Sequence, residues 1–297
     1  MRILITGGAG FIGGHLAQHC LEQGHDVCVF DALTYAGRTS NVPSGADFFR
    51  GALDTGSVTV VKNWRPTHVM HLAAETHVCR SITYPRQFVA TNVNGTMSLL
   101  DAVRPASIEG MLHVSTDEVY GDLGLDTDGV FTEQSPLNPS NPYSASKAAG
   151  EMLARAYERT YHLPIVVARP CNVYGPRQFP EKLIPRSIAR ANIGEPIIVH
   201  GDGAQRREWM HVKDCVRAML TVLELGAVGE VYNIGTGEEY SVLDVAQRID
   251  ANIEFEPGRP GGDMRYLMDN SRMRALGWKP QISFEEGLDA LLEREAA

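Results

Sequence analysis

The feature that most constrains this chain is a regular alternation of short apolar runs with amphipathic stretches. "RILIT", "DVCVFD", "HVMHLAA", "MLHVST" and "LPIVVARP" have strand length and β-branched content, and "FIGGHLAQHCLEQG", "SVTVVKNW", "VNGTMSLLDAV" and "SKAAGEMLARAYERTY" lie between them. Runs that are apolar throughout suit strands buried on both faces, and parallel neighbours of that kind need a crossover, usually a helix. The expected fold class is therefore α/β, a doubly wound parallel sheet with helices on both faces, covering residues 1–170. Beyond residue 170 the chain is richer in Pro, Gly and charge ("YGPRQFPEKLIP", "GDGAQRREW", "EPGRPGGD"). That predicts a smaller lobe built largely from loops, at 171–210 and 236–297. Between these, "VKDCVRAMLTVLELG" followed by "EVYNIGTG" reads again as helix then strand, a return to the first unit at about 211–235.

"ILITGGAGFIGGHL" places Gly7, Gly10 and Gly13 after the first strand and at the opening of a helix. Small residues there let the backbone turn tightly and approach a pyrophosphate, whose charge is favoured by the free N–H groups of the helix start. Glycines also serve ordinary tight turns, so the context matters. The next strand, "DVCVF", ends in Asp31, about 20 residues on, where a carboxylate accepts hydrogen bonds from an adenosine ribose. The pair predicts a Rossmann-type dinucleotide site. Asp31 repels a 2′-phosphate, so NAD is expected rather than NADP.

"NPYSASKAAGEML" carries Tyr143 and Lys147 at i and i+4, on one face of a helix. An ammonium beside a phenol favours the phenolate, which then serves as general base towards a sugar hydroxyl. About 30 residues earlier, "HVSTDEVYG" sets Asp117 and Glu118 side by side after an apolar run. A DE pair is usually a solvated turn. Here the preceding "MLHV" implies a strand whose carboxyl end lies at the ligand crevice of an open α/β sheet. Two close carboxyls with different burial can divide their protonation, one acid and one base.

The net charge of −9, with no long basic run, argues against nucleic acid or an anionic membrane as partner. The chain starts "MRILITGG" and has no apolar stretch near spanning length, so a cytoplasmic protein without signal peptide is expected. The five cysteines, Cys20, Cys28, Cys79, Cys171 and Cys215, are scattered without metal-like spacing and read as reduced thiols, with no metal assigned.

In this order, "TGGAGFIG", "HLAAETHV", "HVSTDEVYG", "YSASK" and "ARPCNVYGP" resemble the extended short-chain dehydrogenase/reductase family. Within it, the Thr116-Asp117-Glu118 triplet is similar to that of dTDP-glucose 4,6-dehydratases. The likeness runs nearly end to end through "LTYAGR", "CRSI", "FPEKLIP", "GDGAQRREW", "YNIG", "RPGGDMRY" and "LGWKP". The resemblance implies an NAD-dependent lyase acting on a nucleotide-diphosphate sugar, dTDP-glucose, giving the 4-keto-6-deoxy sugar. It implies Glu118 as base at C5, Asp117 as acid at the 6-hydroxyl and Thr116 hydrogen-bonded to the 4-oxygen. Cofactor contacts are implied at Gly7, Gly10, Phe11, Ile12, Gly13, Asp31, Leu33, Thr34, Gly37, Leu53, Leu72, Ala73, Ala74, Tyr143 and Lys147. Substrate contacts are implied at His77, Asn172, Glu181, Lys182, Leu183, Arg207, Asn233, Arg259 and Asp263. Guanidinium groups suit a diphosphate because they donate parallel hydrogen bonds. For His77, local packing at a helix start is an equal reading.

The chain departs from relatives at Ala52, Cys79, Val173 and Gly262, none of them in the triplet or the Tyr143/Lys147 pair. His200 stands where relatives often have Tyr, leaving thymine, uracil and guanine open as the base. A nucleotide-sugar 4-epimerase or UDP-glucuronate decarboxylase is the alternative enzyme, and a catalytically silent NAD-binding regulator is the alternative of another class. The family's pairing of helices near Tyr143 and "VNGTMSLLDAV" implies a homodimer through Met97, Leu99, Leu100, Met152 and Leu153, which are equally readable as core.

Overall fold

The first apolar run becomes β1 (Arg2–Thr6), buried from Ile3 onward, and the glycine turn after it feeds α1 (Phe11–Glu22). β2 (Asp26–Asp31), β3 (Asp47–Arg50), α2 (Leu53–Trp64) and β4 (His68–His71) follow. Two short helices, α3 (Val78–Thr83) and α4 (Pro85–Phe88), lead through a π-helical stretch (Val89–Gly95) into α5 (Thr96–Val103). β5 (Gly110–Val114), α6 (Pro142–Tyr161) and β6 (Ile165–Pro170) complete the repeating part. The computed structural model describes residues 1–258 and 261–296.

The rest of the described chain forms β7 (Asn172–Tyr174), α7 (Leu183–Ala191), β8 (Ile197–His200), β9 (Arg206–His211) and α8 (Val212–Leu225). β10 (Val231–Ile234), β11 (Glu239–Ser241), α9 (Val242–Ile249), β12 (Ile253–Glu256), α10 (Ser271–Ala275) and α11 (Phe284–Ala296) end it.

Seven strands make one parallel sheet in the order β10-β6-β5-β4-β1-β2-β3. Alternate residues of β1 feed opposite faces: Ile3 and Ile5 join the core beneath α1 and α8, and Leu4 joins the core beneath α2 and α5. This doubly wound order is the α/β architecture expected from the alternation. Its strand order reverses between β1 and β4, which opens a crevice at their carboxyl ends. β3 went unread in the sequence; it is a four-residue edge strand, mostly exposed, with no apolar run to announce it.

β10 pairs with β6 in the large sheet, and α8 packs against α1. The lobe expected to be largely loops instead contains a three-stranded sheet, β11-β9-β7, and a parallel pair, β12-β8. Tyr174, Ile184, Trp209, Val245, Phe284 and Leu288 close its core. The apolar residues readable either as a helix-pairing face or as core divide between the two. Leu99 and Leu100 are 0% exposed inside the main core, and Leu153 packs against it, whereas Met97 and Met152 are exposed. No helix among the described residues is long and apolar enough to cross a membrane.

Candidate active site

A cavity of about 520 Å³ opens at the carboxyl ends of the central strands and extends to β7, β9 and the start of α7. Gly7, at φ +73°, turns the chain so closely against the β4 loop that an added Cβ would lie 2.7 Å from the Ala73 nitrogen. At Gly13 an added Cβ would collide with the Gly7 carbonyl. The cradle therefore admits only glycine at both positions, and the α1 amino terminus faces the space left open.

Asp31 ends β2 on this cavity. Its Oδ2 accepts the Ala9 N–H at 3.0 Å and its Oδ1 the Leu33 N–H at 2.8 Å. Two of its lone-pair directions are thus used to fix the carboxylate, leaving others for ribose hydroxyls. A glycine cradle beneath a helix start and an anchored carboxylate at the next strand end fit a dinucleotide with an unphosphorylated ribose.

Asn141 and Ser144 form a capping box at the start of α6, with Pro142 at its first position. That fixes Tyr143 in the first turn and Lys147 one turn on, both buried against the cavity. The Lys147 ammonium donates to the Val114 carbonyl at 2.6 Å, tying α6 to the end of β5. Burial lowers Lys147 to about 8, with Glu151 drawing it back up. The Tyr143 phenol is pushed up, by burial first and by Glu118 next, with Thr116 opposing. The spacing argument expected the lysine to favour the phenolate; in this structure burial and the facing carboxyls push the phenol the other way.

The acidic pair sits in a single 3-10 turn, Asp117–Tyr120, directly after β5. Thr116 caps it, donating to Asp117 Oδ1 at 3.0 Å and accepting the Glu118 N–H at 3.3 Å. Burial and then the neighbouring Glu118 raise Asp117 to about 8. Burial also raises Glu118, but Lys182 and Arg207 favour its ionised form. Both carboxyls are thus raised, and Lys182 favours the ionised form of Glu118 in particular.

Gly7, Gly10, Phe11, Ile12, Gly13, Asp31, Thr34, Gly37, Leu53, Leu72, Ala73 and Ala74 all line this one cavity. So do Thr116, Asp117, Glu118, Tyr143, Lys147, Asn172, Glu181, Lys182 and Leu183. Leu33 does not; its main chain serves Asp31 and its side chain packs on the core. His77 caps α3 and lies 3.9 Å from Glu181. Arg207 is turned to the 263–264 segment, donating to the Asp263 and Met264 carbonyls and lying over the Tyr266 ring, and reaches the carboxyl pair through its field. Asp263 is buried and accepts the Tyr266 hydroxyl. Asn233 is corrected from substrate contact to interior residue: it is 0% exposed, with its amide spent on Tyr120, Phe131 and Asp269. Arg259 lies outside the described residues.

Five polar atoms of lining residues are buried without a hydrogen-bond partner: Glu75 Oε2, Ser115 Oγ, Asn172 Oδ1, Gln178 Oε1 and Trp209 Nε1. Asn172 and Trp209 are register partners on β7 and β9. Gln178 is fixed by its own amide, which donates to the Val173 carbonyl at 2.8 Å. Gln178 and Trp209 had no assigned role in the sequence although "YGPRQF" and "RREW" contain them; an unsatisfied polar atom is visible only in three dimensions. Tyr35 was also missed; it lines the cavity and donates to Glu181 at 3.0 Å. Of the departures, Ala52 and Val173 lie on the cavity wall. Among the described residues no cluster of His, Cys, Asp or Glu is arranged to hold a metal ion.

The sequence matches the family model described as GDP-mannose 4,6 dehydratase over residues 4–291. The chain belongs to this dehydratase family. It is 45% identical to the low-salt glycan biosynthesis protein of Haloferax volcanii, covering 99% of this chain and 98% of that protein. Identity to the dTDP-glucose 4,6-dehydratase of Neisseria gonorrhoeae is 44%, over 97% of this chain and 93% of that one. Among solved dehydratases, DesIV of Streptomyces venezuelae, a dTDP-glucose 4,6-dehydratase with NAD and dTDP bound, superposes with a TM-score of 0.94 at 39% identity. That match covers 99% of this chain and 96% of DesIV.

Proposed function

We propose that this chain is an NAD-dependent nucleotide-sugar 4,6-dehydratase that converts dTDP-glucose to dTDP-4-keto-6-deoxyglucose. The observation that carries the reading is the placement of two carboxyls, Asp117 and Glu118, in one turn after β5 on the same cavity as Tyr143 and Lys147, with Asp117 raised to about 8 by burial and Glu118, and Lys182 drawing Glu118 towards ionisation. The naming of full-length relatives and the ligands of DesIV support the substrate and cofactor.

Gly7, Gly10, Gly13 and Asp31 would hold NAD, which would supply reversible hydride chemistry: the C4 hydride taken up in oxidation would be given back at C6. Tyr143 takes the 4-hydroxyl proton as general base, from the first turn of α6 where the Asn141 cap holds it. The 4-ketone acidifies C5, whose proton passes to Glu118. Asp117 gives its proton to the 6-hydroxyl, which leaves as water, and C5 recovers a proton from Glu118. One proton then remains on Tyr143 while Asp117 lacks one; the Thr116 hydroxyl, bonded to Asp117 and set against Tyr143, offers the return route. The orphaned atoms of Asn172, Gln178 and Trp209 are suited to sugar hydroxyls, which donate and accept alike. We assign the lobe of β7, β9, α7 and their neighbours to the nucleotide sugar.

A 4-epimerase or decarboxylase would use Tyr143 and Lys147 but leave Asp117 without a task, and a silent binder would leave all of them idle. The free thiols suit a reducing compartment, and we place the enzyme in the cytoplasm. We further propose a homodimer through the π-helical stretch, α5 and α6, where Val89, Met97, Met152 and Tyr161 are 41–48% exposed. A single-chain mass in sedimentation at micromolar concentration would refute the dimer.

The test of function is mass spectrometry of the products formed from dTDP-glucose, UDP-glucose, GDP-mannose and UDP-glucuronate without added reductant. Loss of one water from dTDP-glucose is expected. An isomer of unchanged mass, or loss of carbon dioxide, moves the reading to epimerase or decarboxylase, and no change to the silent binder.

A further inference from the structure

Tyr143 and Lys147 lie on α6, whereas Asp117 and Glu118 lie on a turn after β5, so elimination needs two separate stretches of chain held in register. Outside the cavity a buried run of hydrogen bonds joins them. Glu151 of α6, one turn beyond Lys147, takes two bonds from Arg169 of β6, Nε to Oε2 at 3.0 Å and Nη2 to Oε1. Arg169 Nη1 donates to the Tyr120 hydroxyl at 2.6 Å, and the guanidinium lies 4.6 Å from the Tyr120 ring centre. Tyr120 in turn donates to Asn233 Oδ1 at 2.6 Å, and its ring stacks on Phe131 with centroids 4.8 Å apart. Glu151, Arg169, Tyr120 and Asn233 are all 2% exposed or less, and none lines the cavity.

A buried ion pair is a poor way to gain stability, because desolvation offsets its attraction and apolar residues of similar volume do as well. What a forked guanidinium adds is geometry, since parallel N–H bonds fix distance and angle together. Tyr120 is the last residue of the turn that carries both carboxyls. Inside the cavity the turn meets the start of α6 through Glu118 at Asn141 and Thr116 at Tyr143; Tyr120 adds the tie that reaches α6 from behind the cavity, at Glu151. Tyr143 and Lys147 are held as well by the Asn141 cap and the Val114 carbonyl.

We propose that Glu151, Arg169 and Tyr120 form a positioning brace that holds the Asp117–Glu118 turn in register with Tyr143, so that water elimination depends on it more than C4 oxidation does. The proposal rests on the roles given above to Asp117 and Glu118. Neither Arg169 nor Tyr120 touches the substrate space.

Tyr120→Phe is the first test, because it keeps the ring stacked on Phe131 and removes only the linking hydroxyl. Single turnovers of the full-length holoenzyme with dTDP-glucose, quenched in acid and read by mass spectrometry, separate the 4-ketohexose nucleotide from the dehydrated product. The 4-ketohexose nucleotide is expected to form at the wild-type rate and then accumulate, its conversion slowed about 10- to 100-fold, the scale of a small misplacement, with KM unchanged. Arg169→Lys, which keeps the charge and loses the fork, is expected to do the same. A purely structural role would lower the melting temperature and scale both steps together, and that result overturns the brace. Asp117→Asn run in parallel separates the two claims. If it accumulates the 4-ketohexose and Tyr120→Phe does not, the brace is wrong; if neither does, the brace and the carboxylate roles fall together.

Discussion

Thr116 donates its hydroxyl hydrogen to Asp117 Oδ1 across 3.0 Å in a site where Asp117 is 3% exposed. The bond orients the carboxyl and by itself favours the ionised form, but burial and the neighbouring Glu118 outweigh it and raise Asp117 to about 8. A carboxyl raised in this way is suited to the acid role proposed for it, release of a hydroxyl as water.

Replacing Asp117 by Asn removes the transferable proton while keeping the shape. Conversion of the 4-keto sugar to product is expected to fall by about 10²- to 10⁴-fold, the usual contribution of a general acid, with C4 oxidation largely kept. Single-turnover product analysis checks this, and equal losses in both steps would sink the assignment.

The pH dependence follows from the same group. With Asp117 raised to about 8, the elimination step is expected to decline as pH rises through that value, because the acid is then ionised. The native state also binds this proton across the interval from an ordinary aspartate value of about 4 up to about 8. Its contribution to stability is therefore greatest at low pH and falls as pH rises through that window. Asp117→Asn should gain stability relative to the unaltered chain between pH 5 and pH 8 (roughly the window between those values). Urea unfolding at both ends would measure it, and an unchanged difference would refute the raised value.

Asp31 anchors the Ala9 and Leu33 amides while facing the dinucleotide cradle. Losing charged hydrogen bonds of about 1.5–3 kcal/mol predicts that Asp31→Ala weakens NAD binding by about 10- to 100-fold. Titration calorimetry with NAD and NADP tests both affinity and preference. A variant that still binds NAD at full strength would remove Asp31 from the site.

Trp209 combines a role in the small-lobe core with an indole N–H left unpartnered on the cavity. Trp209→Phe keeps an aromatic ring and deletes the donor, so KM for the nucleotide sugar should rise about fivefold, the scale of one neutral hydrogen bond, with kcat little changed. If only thermal stability changes, the indole is packing alone.

Much of this enzyme was legible because its signals are local. The apolar runs mark the strands, the glycines at 7, 10 and 13 mark the cradle, and the acidic pair stands at the end of the "MLHV" strand. Cap, turn and strand end each lie within a few residues of one another, so sequence order nearly fixes their geometry. The short edge strand β3 escaped because edge strands carry little apolar pattern, and the small sheets escaped because β7 and β11 are three residues each.

The sequence by itself determined the parallel α/β sheet and the identity of the groups at its crevice, since both follow from short-range periodicity and motif order. Only the tertiary structure decided which groups share an environment. The Tyr120 hydroxyl meets Asn233 across 113 residues of chain, and Tyr35 meets Glu181 across 146. Burial, which raises Asp117 and Tyr143, and register, which sets Asn172 beside Trp209, arise only when distant strands pack. No local pattern encodes how much water a finished fold will exclude from a side chain.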